Sequence, residues 1–141
     1  MALSRLYQER LLAHNRQPRN HREMPGATHQ ARGVDALCGD DIRVWLKLDD
    51  GRIAAASWSG EACAVTTAAA SMLTAWLPDR TPAELRAACD RFAALIDDPE
   101  APDDPGFGDL NVLRAVAAFP ARRRNALLPW RTALDALDAS D

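Results

Sequence analysis

The chain has 141 residues, of which 48% are hydrophobic and 26% charged, so we expect one globular domain spanning residues 1–141. The net charge is −3 and Lys47 is the only lysine, which argues against the broad basic surface typical of nucleic-acid-binding proteins. No stretch approaches the roughly 20 apolar residues of a membrane span, and the first ten residues mix charges with apolar side chains. We therefore expect a cytoplasmic protein that binds neither nucleic acid nor membrane.

The N-terminal residues predict an amphipathic helix of about three turns, followed by a polar loop. Residues 16–24 are polar, and Pro18 and Pro25 interrupt any regular structure there. We expect His14 and His21, in or beside this polar stretch, to be solvated. The apolar residues at helical spacing are Leu3, Leu6, Tyr7 and Leu11.

The next stretch predicts a small antiparallel sheet. Apolar and polar residues alternate over 42–49, the pattern of a strand with one buried face. Asp50 and Gly51 predict a tight turn into a second strand over 52–59, because glycine readily adopts the positive φ of hairpin turns. Residues 29–34 predict a further short strand, which leaves Cys38 in the loop before the central hairpin.

The rest of the chain predicts helices. A small-residue segment ends at Pro78, a capping box begins at Thr81, and Asp109 is expected to cap a short helix. Together with the strands, this order predicts an α+β fold: a small antiparallel sheet with the helices packed on one face. The expected helices cover 64–77, 82–96, 110–118 and 121–139.

Three cysteines in a chain without an export signal favour free thiols or metal ligands over disulfides. Cys38 shares a turn with Asp40, and Cys63 lies where a helix begins, a position that favours a thiolate. Two thiols and a carboxylate are ligands for zinc or iron, although a fourth ligand is lacking. A buried structural cysteine is the alternative for Cys63. Cys89 lies among apolar residues at helical spacing and is expected to pack in the core.

Short motifs cover nearly the whole chain in a characteristic order. They are Leu6-Tyr7 with Pro18-Arg19-Asn20, Ala27-Thr28-His29, Leu37-Cys38-Gly39-Asp40, Gly60-Glu61-Ala62-Cys63, Ala70-Ser71-Met72, Gly108-Asp109-Leu110 and Phe119-Pro120-Ala121-Arg122. In this order they resemble the iron-sulfur cluster scaffold family that includes SufU, IscU and the N-terminal domain of NifU, and most of all its SufU branch. The two cysteine motifs, in register with the C-terminal Phe-Pro-Ala-Arg, are the specific part of the resemblance.

The resemblance implies that Cys38, Asp40 and Cys63 hold a transient iron-sulfur cluster or Zn2+. It also implies that Cys38 or Cys63 receives sulfur from a SufS-type cysteine desulfurase and that acceptor apo-proteins take the product. In the family a third cysteine follows the Phe-Pro-Ala-Arg motif, whereas Asn125 stands at that place here. Asn125 is therefore the candidate fourth metal residue, although an amide oxygen is a poorer ligand than a thiolate for iron or zinc.

Three functions remain open from the sequence. The chain is a scaffold for a labile cluster, a zinc-containing acceptor of desulfurase sulfur, or a degenerate relative that binds partners without holding a cluster. The first two describe a scaffold or sulfur-transfer protein rather than a stand-alone enzyme. The arginines at 122–124 are a solvated helix face, a docking patch for an acidic partner, or positive charge beside the thiols.

Overall fold

The computed structural model describes residues 2–139, with side chains described from residue 5 onward. A three-stranded antiparallel sheet with the order β1-β2-β3 forms the centre of the fold. Asp50 and Gly51 connect β2 to β3 with φ angles of 53° and 79°, the positive values predicted for this turn. The three predicted strands are confirmed and are slightly longer than expected: β1 His29–Asp35, β2 Asp40–Asp49 and β3 Arg52–Glu61.

Within residues 2–139, four α-helices and one 3-10 helix accompany the sheet. The predicted capping box is confirmed, because the Thr81 hydroxyl accepts a hydrogen bond from the Glu84 amide at 3.1 Å and the Glu84 carboxylate accepts one from the Thr81 amide at 3.0 Å. No helix within residues 2–139 is both long and apolar enough to cross a membrane. The helices are α1 Ala2–Arg16, α2 Ala64–Trp76, α3 Pro82–Leu95, the 3-10 helix Gly108–Val116 and α4 Pro120–Asp138.

The helices pack on one face of the sheet, which confirms the predicted α+β architecture. Ile42, Val44 and Leu46 of β2 are buried, whereas Lys47 on the opposite face is exposed. α4 lies along β1 and β2, and α2 contacts both β3 and α4. This arrangement brings the beginnings of α2 and α4 to the end of the sheet that carries the β1–β2 loop.

An aromatic cluster fills the core between α3, α4 and the 3-10 helix. Phe92 stacks on Trp130 with ring centroids 4.8 Å apart, and Phe107 meets Trp130 edge to face at 6.0 Å. Cys89 lies beside this cluster on α3 and is buried, as predicted. Burial raises the pKa of the Cys89 thiol, which keeps it protonated and inert.

α4 approaches β1 closely at Gly33. A β-carbon at Gly33 would lie 2.0 Å from Oγ1 of Thr132, far inside van der Waals contact. The hydroxyl of Thr132 donates to the Leu128 carbonyl within α4 at 2.7 Å, so its position is fixed by the helix. The absence of a side chain at Gly33 therefore determines how near α4 lies to the sheet.

The predictions for His14 and Asp109 are wrong. His14 is buried rather than solvated, because α1 packs against α2 and the 3-10 helix. Its ring contacts Ser71 through Nδ1 at 2.7 Å and Asp109 through Nε2 at 3.0 Å. Asp109 makes no cap: it lies inside the first turn of the 3-10 helix, where it binds His14 and Arg10 instead.

Candidate cysteine site

The β1–β2 loop carries Cys38 between two carboxylates. Asp35 ends β1 and Asp40 begins β2, and the two residues are paired across the strands. Gly39 has a φ of 73°, a conformation that glycine adopts without the strain other residues would incur. The Leu37 amide donates to Asp35 Oδ1 at 3.1 Å, and the Cys38 amide donates to the Asp35 carbonyl at 3.2 Å. These bonds hold the half-buried Cys38 above the end of the sheet.

Cys63 is the N-cap residue of α2, at the position predicted from the sequence. Its backbone amide donates to Asp40 Oδ1 at 2.7 Å, which connects the beginning of β2 to the beginning of α2. Its thiol lies 3.3 Å from Oγ1 of Thr66 and 3.8 Å from Oδ2 of Asp40. Cys63 as a residue is half-buried.

Asp40 is the centre of the site and is only 1% exposed. Besides the Cys63 amide on Oδ1, it accepts hydrogen bonds on Oδ2 from the Thr66 hydroxyl at 2.5 Å and from the Asn125 amide at 3.1 Å. A buried carboxylate is costly unless donors satisfy it, and here three neutral donors do so. These bonds attach β2, α2 and α4 to one side chain.

Asn125 is completely buried near the beginning of α4 and faces the site. Its amide nitrogen donates to Asp40 Oδ2 at 3.1 Å and to Asp35 Oδ2 at 3.4 Å, and its oxygen lies 3.6 Å from the Cys38 sulfur. The two carboxylates fix this orientation, because the reversed amide would direct its oxygen at both of them. Asn125 therefore links both acidic residues to Cys38.

Thr66 and Asp35 belong to the site but were not found from the sequence. Thr66 lies in the first turn of α2, is fully buried, and also places its hydroxyl 3.3 Å from the Asn125 carbonyl. That carbonyl has no amide partner four residues on, since Pro129 has no N–H. The sequence signal available for Thr66 was its spacing: it lies three residues after Cys63, so the two side chains share one face of the helix.

Of the arginines at 122–124, only Arg124 lies at the site. It donates from Nε to Asp35 Oδ2 at 2.7 Å, and this hydrogen bond lowers the pKa of Asp35 below its ordinary value. Arg123 turns away to pair with Asp97, and Arg122 is exposed. The run is therefore divided between a site contact, a distant ion pair and solvent, and does not form one patch.

The predicted residues Cys38, Asp40, Cys63 and Asn125 thus come together at one end of the sheet. Within the part of the chain that the structure describes, however, no group of three or more His, Cys, Asp or Glu side chains is arranged to hold a metal ion. Asp40 and Asn125 are bonded to each other, and two thiols do not close a zinc site that requires four ligands. A resident zinc ion therefore does not fit these residues as they are arranged.

Solved structures share this fold over most of its length. A hypothetical protein determined at 2.3 Å resolution superposes with a TM-score of 0.87 at 27% identity, covering 96% of this chain and 98% of that one. A NifU-like N-terminal protein from Brucella abortus has a TM-score of 0.83 at 24% identity over 94% and 92% of the two chains. A putative SUF-system scaffold protein from Fervidobacterium islandicum also has a TM-score of 0.83, at 21% identity over 92% and 94%.

Curated relatives match across nearly the whole chain. The iron-sulfur cluster assembly scaffold protein IscU of Streptococcus pyogenes is 29% identical, over 99% of this chain and 89% of its own. The zinc-dependent sulfurtransferase SufU of Bacillus subtilis is 31% identical, over 92% and 87%. Residues 6–126 match the family described as the NifU-like N terminal domain. The chain therefore belongs to the NifU-like N-terminal domain family.

Proposed function

We propose that this protein works in iron-sulfur cluster assembly. In this proposal Cys38 and Cys63 accept sulfur from a cysteine desulfurase of the SufS type. Together with Asp40 they then hold a transient iron-sulfur cluster as cargo for acceptor apo-proteins. The observation that carries the proposal is that two half-buried thiols meet one buried network: the Cys63 thiol contacts the Asp40 carboxylate, and the Cys38 thiol contacts Asn125, which donates to the same carboxylate. The relatives named as an IscU scaffold and a SufU sulfurtransferase support it.

The sulfur step needs only a thiolate and an incoming persulfide. A thiolate of this chain attacks the terminal sulfur of the desulfurase persulfide, the existing S–S bond breaks, and the desulfurase cysteine leaves as a thiolate. The product is a persulfide on Cys38 or Cys63, and no external oxidant or reductant is consumed. The Thr66 hydroxyl oxygen lies 3.3 Å from the Cys63 sulfur, within reach of a hydrogen bond to it.

Asp40 would keep the cargo cluster loosely held. To coordinate iron through Oδ2, its carboxylate must give up a hydrogen bond from Thr66 or Asn125, and losing such a bond costs about 1–3 kcal/mol. The Asn125 oxygen, which faces Cys38, is the remaining donor and a weak one for iron. Both features favour release of the cluster to an acceptor.

Exposed apolar side chains beside the thiols support docking of a partner. Leu37 precedes Cys38 and is 86% exposed, and Val34 at the end of β1 is 51% exposed. Phe119, the N-cap residue of α4, is 58% exposed. Large apolar side chains around a reactive group are the kind of surface that a partner protein buries.

The second candidate function is partner binding without sulfur chemistry. The observation that favours it is Asn125, which replaces the third thiol of the resembled family. Under this alternative the protein would bind a desulfurase but would not become persulfidated.

Sulfur transfer distinguishes the two functions. After incubation with a SufS-type cysteine desulfurase and L-cysteine, mass spectrometry of the protein should reveal an adduct of about 32 Da on Cys38 or Cys63. Single Cys38→Ser and Cys63→Ser variants identify the acceptor. Cys89→Ser is the matched control and should behave like the wild type, since Cys89 is buried with a raised pKa. An adduct confined to Cys89, or none at all, would contradict the proposal.

A further inference from the structure

Donors of the chain itself occupy most of the acceptor positions of Asp40. An ionised carboxylate has about four lone-pair positions. Three are taken by the Cys63 amide, the Thr66 hydroxyl and the Asn125 amide, and the Cys63 thiol approaches at 3.8 Å. The buried charge is thus balanced by neutral donors that belong to the chain itself. A cation is not needed to satisfy it.

Asn125 makes the contacts that a cation between these residues would make. Its amide nitrogen donates hydrogen bonds to Asp35 and Asp40, and its oxygen accepts one from the Cys38 thiol. A cysteine at this position would have no such pair of donors. In its thiolate form it would add negative charge beside two buried carboxylates, an arrangement that favours binding of a cation.

We propose that this site keeps its shape through hydrogen bonds from Asn125 and Thr66 rather than through a resident metal ion. That this site carries out sulfur chemistry rests on the proposed function. The present proposal concerns only which interactions keep the site ordered. The protein would then be folded without metal, with both thiols already in position. It would bind metal only as part of the iron-sulfur cluster that it carries.

The first test compares thermal unfolding of wild-type protein with and without a chelator, and with added zinc chloride. We expect low zinc content after purification without chelator, and a Tm that EDTA changes by no more than about one degree. Near-stoichiometric zinc, together with a Tm that falls by several degrees in EDTA, would overturn the proposal.

The second test makes the site dependent on metal. Asn125→Cys replaces the amide by a third thiol, so added zinc should raise its Tm by several degrees and EDTA should reverse the change, since a ligand that binds only the folded state stabilises it. If added zinc raises the Tm of the variant no more than that of the wild type, residue 125 does not determine whether the site is ordered by hydrogen bonds or by a metal ion. The proposal then fails.

The third test removes the donors without changing size. Asn125→Asp should lower the Tm, because it places a third carboxylate against Asp35 and Asp40. Asn15→Asp is the matched control, since the Asn15 amide donates to the Ala64 carbonyl at 2.8 Å rather than to a carboxylate. Equal Tm values for the two variants would count against the role of Asn125. The wild-type and Asn125→Cys measurements decide the matter if Asn125→Asp does not fold, and neither involves sulfur transfer.

Discussion

Replacing Thr66 by valine tests the Asp40 network by removing a single hydroxyl. The two side chains have nearly the same shape, and Thr66 is fully buried, so the change leaves little empty space. The main loss is the 2.5 Å hydrogen bond to the Asp40 carboxylate, besides the longer 3.3 Å contacts with the Cys63 sulfur and the Asn125 carbonyl. Hydrogen bonds to charged groups contribute about 1.5–3 kcal/mol each, and the added methyl group returns up to about 0.8 kcal/mol of apolar burial.

We therefore expect Thr66→Val to lower the free energy of unfolding by about 1–2 kcal/mol, which corresponds to a fall in Tm of roughly 3–6 °C for a chain of this size. Thr74→Val is a matched control in the same helix. Thr74 is also buried, but its hydroxyl bonds to uncharged groups: it donates to the Ala70 carbonyl and accepts from the Asn20 amide. The control should cost less than about 1 kcal/mol.

Urea denaturation followed by circular dichroism measures both variants. We expect Thr66→Val to lose more free energy of unfolding than Thr74→Val. The dependence of that free energy on urea concentration should be the same for both proteins. If the two substitutions cost the same, or if Thr66→Val stabilises the protein, then the Thr66 hydroxyl does not support a charged Asp40 and the reasoning is wrong.

Two further predictions concern other buried polar groups. His14→Ala should lower the free energy of unfolding by about 2–4 kcal/mol, because it removes two hydrogen bonds and leaves a cavity beneath α1. The control is His29→Ala, at a half-buried position. In the same urea experiment it should change the free energy of unfolding by less than about 0.5 kcal/mol. Arg124→Gln should destabilise the protein at neutral pH but not in acid. Since Arg124 lowers the folded-state pKa of Asp35, the stabilisation is complete above the ordinary aspartate pKa of about 4 and is lost as pH falls through the lowered pKa. Wild-type and variant stability curves measured from pH 7 to pH 3 should therefore converge in acid, and curves that stay parallel would contradict this account.

The elements of the fold were predictable because their signals are local. Alternation over β2, the positive-φ turn at Asp50 and Gly51, and the capping box at Thr81 each depend on a few neighbouring residues. The placement of Cys38 in the loop before the central hairpin, and of Cys63 where a helix begins, followed from the same reasoning.

The predictions that failed depend on contacts between distant parts of the chain. His14 has polar neighbours in sequence, but its partner Ser71 is 57 residues away and becomes adjacent only when α1 packs on α2. Likewise, Asp35 joins the site because α4 brings Arg124 to it across 89 residues. No periodicity in the sequence contains such information, so tertiary packing decides which buried polar groups meet.

The close contact between Gly33 and Thr132 acts as a spacer for the thiol site. Thr132 lies two turns beyond Asn125 on α4, and Gly33 lies on the strand that leads into the Cys38 loop. Any side chain at Gly33 would push the helix outward and move the amide of Asn125 away from Cys38, although neither residue was changed. The distance between the Asn125 side chain and the Cys38 sulfur thus depends on Gly33 having no side chain, although Gly33 contacts neither residue's side chain directly.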